Sequence, residues 1–322
     1  MTGLLLSIVV FIASYVAICI LADAVINSLI ESSRTFSVSP VVLGLLVLGV
    51  DIEESMVSLV AVVAGLPYLS LGNLIGNTVI ALGIAIGLPA LFMTVRTEPM
   101  PSFYPMVFSV CGALVVISMV FPSVLWLLGM TCLAVFLVYL IQTRRLQSMY
   151  KEAIVTTASN DVPSLTARPR LRARSIIRLL VGLVLLLVSA DILVTSAGWI
   201  IVETGLSESY LGLVVTAFAT NAEEMWLTVS SVRRGHTELG MSAQVGKILW
   251  NLALVYGVCS VIAGSVAFNA MMTTAALVLA IAMAVTTMVL SRGVVSKKTG
   301  FVLVLLMLVF VSVSSLLAVA SP

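Results

Sequence analysis

The chain has 322 residues, of which 61% are hydrophobic and only 9% charged, with a formal net charge of +2. Its mean hydropathy of +1.23 excludes a soluble enzyme and makes lipid the expected solvent. In hydrocarbon every backbone polar group must be paired internally. Apolar runs of about 20 residues, rather than alternating runs of about 10, then select α-helices over a closed barrel.

Punctuated by Gly, Pro and charge, the runs predict ten spans, at 3–29, 39–65, 70–95, 103–121, 123–142, 176–201, 209–232, 239–267, 270–290 and 299–319. The first lacks a basic leader and a small-residue cleavage site, so it is read as a mature helix. Cys19, Cys111, Cys132 and Cys259 all fall inside apolar runs without a short-spaced pair, and are expected to be packing residues. Between the fifth and sixth spans, Arg144, Arg145, Lys151, Arg168, Arg170, Arg172 and Arg174 are interspersed with Ser, Thr, Asn and Pro, a composition that builds no core of its own. The expected organisation is a five-helix repeat over 1–142, a basic linker over 143–175 and a second five-helix repeat over 176–322. Placing the linker in the cytoplasm puts Arg34, Arg96, Arg178, Arg233, Arg234, Arg292, Lys297 and Lys298 on the same side. Of the basic residues only Lys247 is left over. The opposite loops, near Pro67, Pro122, Glu203 to Glu208 and Asn269, carry no Lys or Arg. The expectation is a multi-pass protein of the cell membrane with both termini on the non-cytoplasmic side.

The halves resemble each other in register, the signature of an internal repeat. Ala22-Asp23 answers Ala190-Asp191, and Gly49-Val50-Asp51-Ile52-Glu53-Glu54 answers Ala219-Thr220-Asn221-Ala222-Glu223-Glu224. Gly72-Asn73-Leu74-Ile75-Gly76-Asn77 answers Ser242-Ala243-Gln244-Val245-Gly246-Lys247, and Glu54 to Gly76 spans the same interval as Glu224 to Gly246. With an odd number of spans in each half, the two would be inserted upside down relative to each other, the inverted-repeat plan of secondary transporters.

Asp51 and Glu54, three apart, are expected to share a helix face, with Glu53 turned away by about 100°. A charged carboxylate at mid-bilayer costs at least ~2.5–3.5 kcal/mol, so these clusters need protons, a lysine or a bound cation to neutralise them. Hard oxygen donors suit Ca²⁺, Na⁺ or Mn²⁺. The candidate cation-binding set is Asp51, Glu53, Glu54 and Asn77 from the first half with Thr220, Asn221, Glu223, Glu224 and Asn251 from the second. Against it stands a purely structural hydrogen-bonding role, which explains a single buried acid more easily than two doublets at matched positions. Asp23 and Asp191 fit a structural role better than a ligand role. Gly49, Gly72, Gly76 and Gly246 are read as helix-packing positions. Lys247 lies about 12 Å into its span, where its ammonium can snorkel outward or pair with Glu223, Glu224, Glu53 or Glu54, and there mimic a monovalent cation.

These motifs make the chain resemble the cation/Ca²⁺ exchanger superfamily, the sodium/calcium exchangers and their Ca²⁺/H⁺ relatives. That family carries Gly-Thr-Ser-x-Pro-Glu on the second helix of each half and Gly-Asn-x-x-Gly-Ser-Asn on the third; Gly49 to Glu54, Ala219 to Glu224, Gly72 to Thr78 and Ser242 to Ile248 fall on them. Ala-Asp-Ile-Leu-Val at 190–194 is similar to its opening-helix motif. The resemblance implies an all-α membrane fold of ten helices in two inverted repeats, with Glu54 and Glu224 as the pair that holds Ca²⁺. It also marks departures. The signature Pro is Glu53 and Glu223 here, the Ser of the first signature is Asp51 and Asn221, and the Ser of the second is Asn77 and Lys247. Ala81 and Asn251 stand where an amide or acid helps form Na⁺ sites.

The function expected is therefore antiport: export of Ca²⁺ or a similar divalent cation against H⁺ or Na⁺, with H⁺ favoured by the extra carboxylates, and with no cofactor, no nucleic acid and no enzymatic activity. Its expected partners are the lipid bilayer and inorganic cations. Alternatives are a uniporter in which Lys247 replaces a coupling ion, an anionic substrate bound by Lys247, and an exchanger-like sensor that no longer transports. An intramembrane aspartyl protease is disfavoured, because Asn221 stands where the second catalytic Asp would be needed.

Overall fold

The computed structural model describes residues 2–33, 50–96, 99–157, 169–217, 221 and 237–320. The chain order is α1 (Thr2–Ser33), α2 (Ile52–Val63), α3 (Pro67–Phe92), α4 (Phe103–Val120), α5 (Leu125–Thr157), α6 (Pro169–Thr204), α7 (Glu208–Tyr210 continuing as Leu211–Thr216), α8 (Thr237–Ala263), α9 (Ala270–Arg292) and α10 (Lys297–Ala320). Among the described residues eight helices are long and apolar enough to cross a membrane. The predicted spans 39–65 and 209–232 run partly over residues outside the described ones, so neither is seen whole.

Local chemistry sets the helix boundaries. Pro67 opens α3 at the first-turn position where its missing N–H costs nothing, just after Gly65 turns the chain at φ +80°. Asn269 caps α9 by accepting from the Met272 amide at 2.9 Å, and Gly293 ends it in the left-handed region. The basic segment that composition marks as a linker is helical at both ends, because α5 runs on to Thr157 and α6 begins at Pro169. Arg, Lys, Leu, Ala and Glu are strong helix formers, so a segment too polar for a core still extends its neighbouring helices.

Helices α3 and α8 are mostly buried, whereas α1, α5 and α10 turn most of their surface outward. Leu5, Leu6, Trp126, Val202, Leu316 and Val319 are among the large apolar side chains exposed on that surface, which suits lipid rather than water. Helix α1 lies along α6, α4 against α9, and the end of α8 against α5, while α3 packs on the Leu211–Thr216 segment. Two short strands, Val95–Arg96 and Val294–Val295, pair antiparallel and join the α3–α4 loop to the α9–α10 loop. At the other end Tyr68 Oη donates to the Ala267 carbonyl at 2.9 Å, and Glu208 Oε1 accepts from the Leu69 amide at 2.8 Å. Among the described loops, those at Val95 and Val294 thus meet at one end of the bundle, and those near Tyr68, Glu208 and Ala267 at the other.

Three six-residue π-helical segments interrupt the interior helices: Leu82–Gly87 in α3, Leu211–Thr216 in α7 and Trp250–Val255 in α8. Such insertions rotate the side chains that follow and free backbone groups, which is why they concentrate at functional sites.

Candidate cation site

The described part of the predicted second span becomes helical at Ile52. Asp51 adopts φ −99° and ψ 84° and is the N-cap of α2; its Oδ1 accepts from the Glu54 amide at 3.2 Å. The expectation that Asp51 and Glu54 share a helix face is therefore corrected: Asp51 precedes the helix, and Glu54 is the third residue inside it. An Asp at this position satisfies one of the free first-turn amides. The positive end of the α2 dipole consequently points at the two carboxylates, which favours negative charge where lipid alone would oppose it. Ser55 Oγ donates to the Asp51 carbonyl and accepts from Trp250 Nε1 at 2.8 Å, fastening the helix start to α8.

Glu54 is buried at 1% exposure and accepts from two amides of α3: Asn73 Nδ2 at 2.5 Å and Asn77 Nδ2 at 2.7 Å. These asparagines are four apart on one face of α3. Asn73 also donates to Ser58 Oγ at 3.1 Å and accepts from Thr216 Oγ1 at 2.8 Å. Helix α3 can come this close because Gly76 lies against the Leu213 carbonyl, where an added Cβ would collide. Reciprocally, a Cβ on Gly212 would sit 2.6 Å from the Leu69 carbonyl. Gly72 faces Leu213 at ordinary contact distance, and Gly246 is buried within α8.

On the other side of the site, Asp51 Oδ2 accepts from Asn251 Nδ2 at 2.7 Å and lies 3.2 Å from Lys247 Nζ. Lys247 does form a buried ion pair, with Asp51 rather than with any of the four glutamates: as the N-cap of α2, Asp51 turns toward α8. Asn251 Nδ2 is also 3.4 Å from Asn77 Oδ1. A continuous polar chain therefore runs Lys247, Asp51, Asn251, Asn77, Glu54, Asn73, Thr216, crossing between the sequence halves several times. Asn221 is fully buried; its Nδ2 donates to the Ala217 carbonyl at 2.6 Å, and its Oδ1 has no hydrogen-bond partner among the described residues.

Not all candidates converge. Glu53 is half-buried and turned to α1, where Cys19 Sγ donates to its Oε2 at 3.5 Å, so Cys19 is more than a packing residue. Asp191 is exposed on α6 beside Leu59, Val60, Val63, Ala64, Leu187 and Val188, away from the chain of contacts above. Gly49, Thr220, Glu223 and Glu224 lie outside the described residues. Asn73, Ser58 and Thr216 belong to the network but not to the predicted set. Asn73, one turn before Asn77, had a signal in its spacing; Thr216 had none, because a π segment breaks the period that would place it.

Buried carboxylates and amides brought together at a helix start inside an apolar helical bundle are chemistry suited to a membrane cation transporter. The sodium/calcium exchanger protein family model matches residues 6–143 and 174–316, and the chain belongs to that family, within the cation/Ca²⁺ exchanger superfamily. CaxA of Alkalimonas amylolytica, a proposed antiporter, is 25% identical over 256 residues, 76% of this chain and 77% of its own. The inner membrane protein YrbG of Escherichia coli K12 is 24% identical over 275 residues, 80% of this chain and 81% of its own. Among solved structures, the sodium-calcium exchanger NCX_Mj soaked with Na⁺ and Sr²⁺ matches with a TM-score of 0.64 at 20% identity, covering 96% of this chain and 99% of that one. The same exchanger soaked without Na⁺ and Ca²⁺ gives a TM-score of 0.61.

Proposed function

We propose that the chain is a secondary active antiporter that exports Ca²⁺ or a similar divalent cation from the cytoplasm in exchange for H⁺ or Na⁺, with Glu54 and Glu224 as central ligands. The observation that carries this reading is the state of Glu54: a carboxylate buried inside a membrane bundle, at the positive end of α2, with each oxygen held by an asparagine amide.

The ten-span, inverted-repeat plan is part of this reading, with repeats at 1–142 and 176–322 and a basic linker at 143–175. The two family matches, one in each half, support it, as do the π segments that follow Asn77 in α3 and Lys247 in α8. Alternating access would then rock the elements that share the Glu54 network. The meeting of the described loops at opposite ends supports a cytoplasmic placement of the basic ones, with both termini opposite.

Protons are favoured over Na⁺ in this reading, because carboxylates, Glu53 and Glu223, stand where the family has a neutral Pro. Uptake of Ca²⁺, Mn²⁺ and Mg²⁺ into proteoliposomes under separately imposed pH and Na⁺ gradients tests this. Uptake driven by the pH gradient alone is expected, whereas uptake driven by neither gradient would reject antiport.

A further inference from the structure

We propose that the cavity between α9 and α10 holds one anionic phospholipid, its phosphate on Arg292 and Lys298 and its upper acyl chain along Val285, Met288, Val289 and Val302. The cavity measures about 370 Å³, within the size of pockets that hold small ligands. Its composition changes with depth. Arg292 is the last residue of α9 and Lys298 the second of α10, so both cations stand at helix ends, the level of the lipid headgroups. Val285 lies seven residues before Arg292 and Val302 four beyond Lys298. At 1.5 Å per residue the wall therefore runs about 10 Å and about 6 Å into the hydrocarbon. Among the described residues no carboxylate lines the cavity, and neither cation has an acidic partner. A water-soluble anion would leave the apolar wall uncovered, and a zwitterionic lipid would bring a third positive charge to the two already there.

The mouth of the cavity suits an oxygen-rich group. Ser296 Oγ and Thr299 Oγ1 are 2.9 Å apart, and Ser296 Oγ also accepts from the Thr299 amide at 3.2 Å. Whichever hydroxyl donates in that pair, the other keeps a proton for an incoming phosphate oxygen. The start of α10 adds nothing further, since Ser296 already satisfies the Thr299 and Gly300 amides. The Arg292 guanidinium can hold a phosphate through two parallel bonds, and Lys298 adds a point charge. Val294, which also lines the cavity, pairs with Arg96 across the two short strands and sets a third cation at this end of the bundle. Basic residues at membrane-helix ends commonly do no more than snorkel to water. Here two of them share one concavity with hydroxyls beside them and an apolar wall beneath, which isolated anchors do not need. The site shares no residue with the Glu54 network and does not depend on the antiport reading.

The test follows thermal unfolding of the full chain in detergent as dioleoylphosphatidylglycerol, dioleoylphosphatidylcholine or inorganic phosphate is added at equal ionic strength. Wild type is expected to gain at least about 3 °C more from the anionic lipid than from the zwitterionic one, and nothing comparable from phosphate. Two variants at exposed positions separate the parts of the site. Arg292→Gln/Lys298→Gln removes the charges, and Val302→Trp fills the wall while keeping them; each is expected to lose most of that difference. Arg144→Gln/Arg145→Gln, which removes the same charge from α5, is expected to keep it. Equal responses to the two lipids overturn the proposal, as does an α5 variant that loses as much as the charge variant of the cavity, since the attraction would then be diffuse. A Val302→Trp protein that responds like wild type takes the acyl chain out of the cavity and overturns it too. A response to inorganic phosphate that matches the anionic lipid overturns it in favour of a free-anion site.

Discussion

Asn251 and Asp51, 200 positions apart in sequence, share a 2.7 Å hydrogen bond in the middle of the bundle, between a residue of a π segment and the N-cap of α2. The bond carries charge, because its acceptor is a carboxylate that also faces Lys247. Asn251→Ala removes that donor and the contact with Asn77 while leaving the ion pair in place. A loss of about 1.5–3 kcal/mol is expected, the range for a hydrogen bond to a charged group. Reversible unfolding in detergent measures it, and a change below about 0.5 kcal/mol would show that water replaces the amide without cost.

Glu54 makes the sharper claim. Glu54→Gln keeps the shape and one acceptor oxygen for Asn73 or Asn77, but it carries no charge. Divalent flux in proteoliposomes is expected to vanish while the variant elutes and melts like the wild type. Flux at the wild-type rate would remove Glu54 from the ligand set.

Asn73 supports Glu54 from behind, linking it to Ser58 and Thr216. Residues that orient a ligand without touching the metal typically contribute 10–100-fold to affinity. Asn73→Ala is therefore expected to weaken divalent binding by roughly that factor, as read by calorimetry, and to slow transport without abolishing it. Affinity within about twofold of wild type would mean that Glu54 is held by its helix alone.

The features most legible in sequence were those that hydrocarbon penalises. Carboxylates in apolar runs and a lysine deep in a span stand out because each is costly there, and the distribution of Arg and Lys marked which loops gather together. The helix start after Asp51 was hidden by the apolar run around it, although Asp51 with Glu54 three residues later is a helix-start pattern in its own right. Asn73 was quoted within a motif and passed over because polar amides are cheap to overlook beside acids. Thr216 and the choice of Asp51 as the partner of Lys247 depend on how π segments and the start of α2 set neighbouring helices, and no local periodicity encodes that.

Glu208 lies at the end of the bundle, as the first residue of α7, and accepts from the Leu69 amide at 2.8 Å. Burial raises its carboxyl above the usual 4.5, with the backbone hydrogen bonds opposing the shift. An acid whose folded value is raised stabilises the fold most below the unfolded value, and that contribution is lost as pH rises through the folded value. Glu208→Gln keeps an oxygen for Leu69 but does not titrate. Melting profiles of the two proteins are expected to converge at low pH, with wild type falling progressively below the variant from about pH 4.5 upward. Parallel profiles across that range would refute the link.

Gly76 tests whether the site depends on the approach of α3 to the Leu211–Thr216 segment. A methyl group there meets the Leu213 backbone, which has no flexible end to swing away. Gly76→Ala must push α7 off α3 and lengthen the contact between Asn73 and Thr216, so a cost of about 1–3 kcal/mol is expected, with weaker divalent binding alongside. Gly198 on α6 is the control, since nothing lies within 4 Å of an added Cβ. Gly198→Ala is expected to be neutral or stabilising by up to ~1 kcal/mol, the helix-propensity gain. Thermal unfolding of both variants, read with divalent titrations, separates the effects. If Gly76→Ala were as benign as Gly198→Ala, the close approach would not be what assembles the Glu54 network.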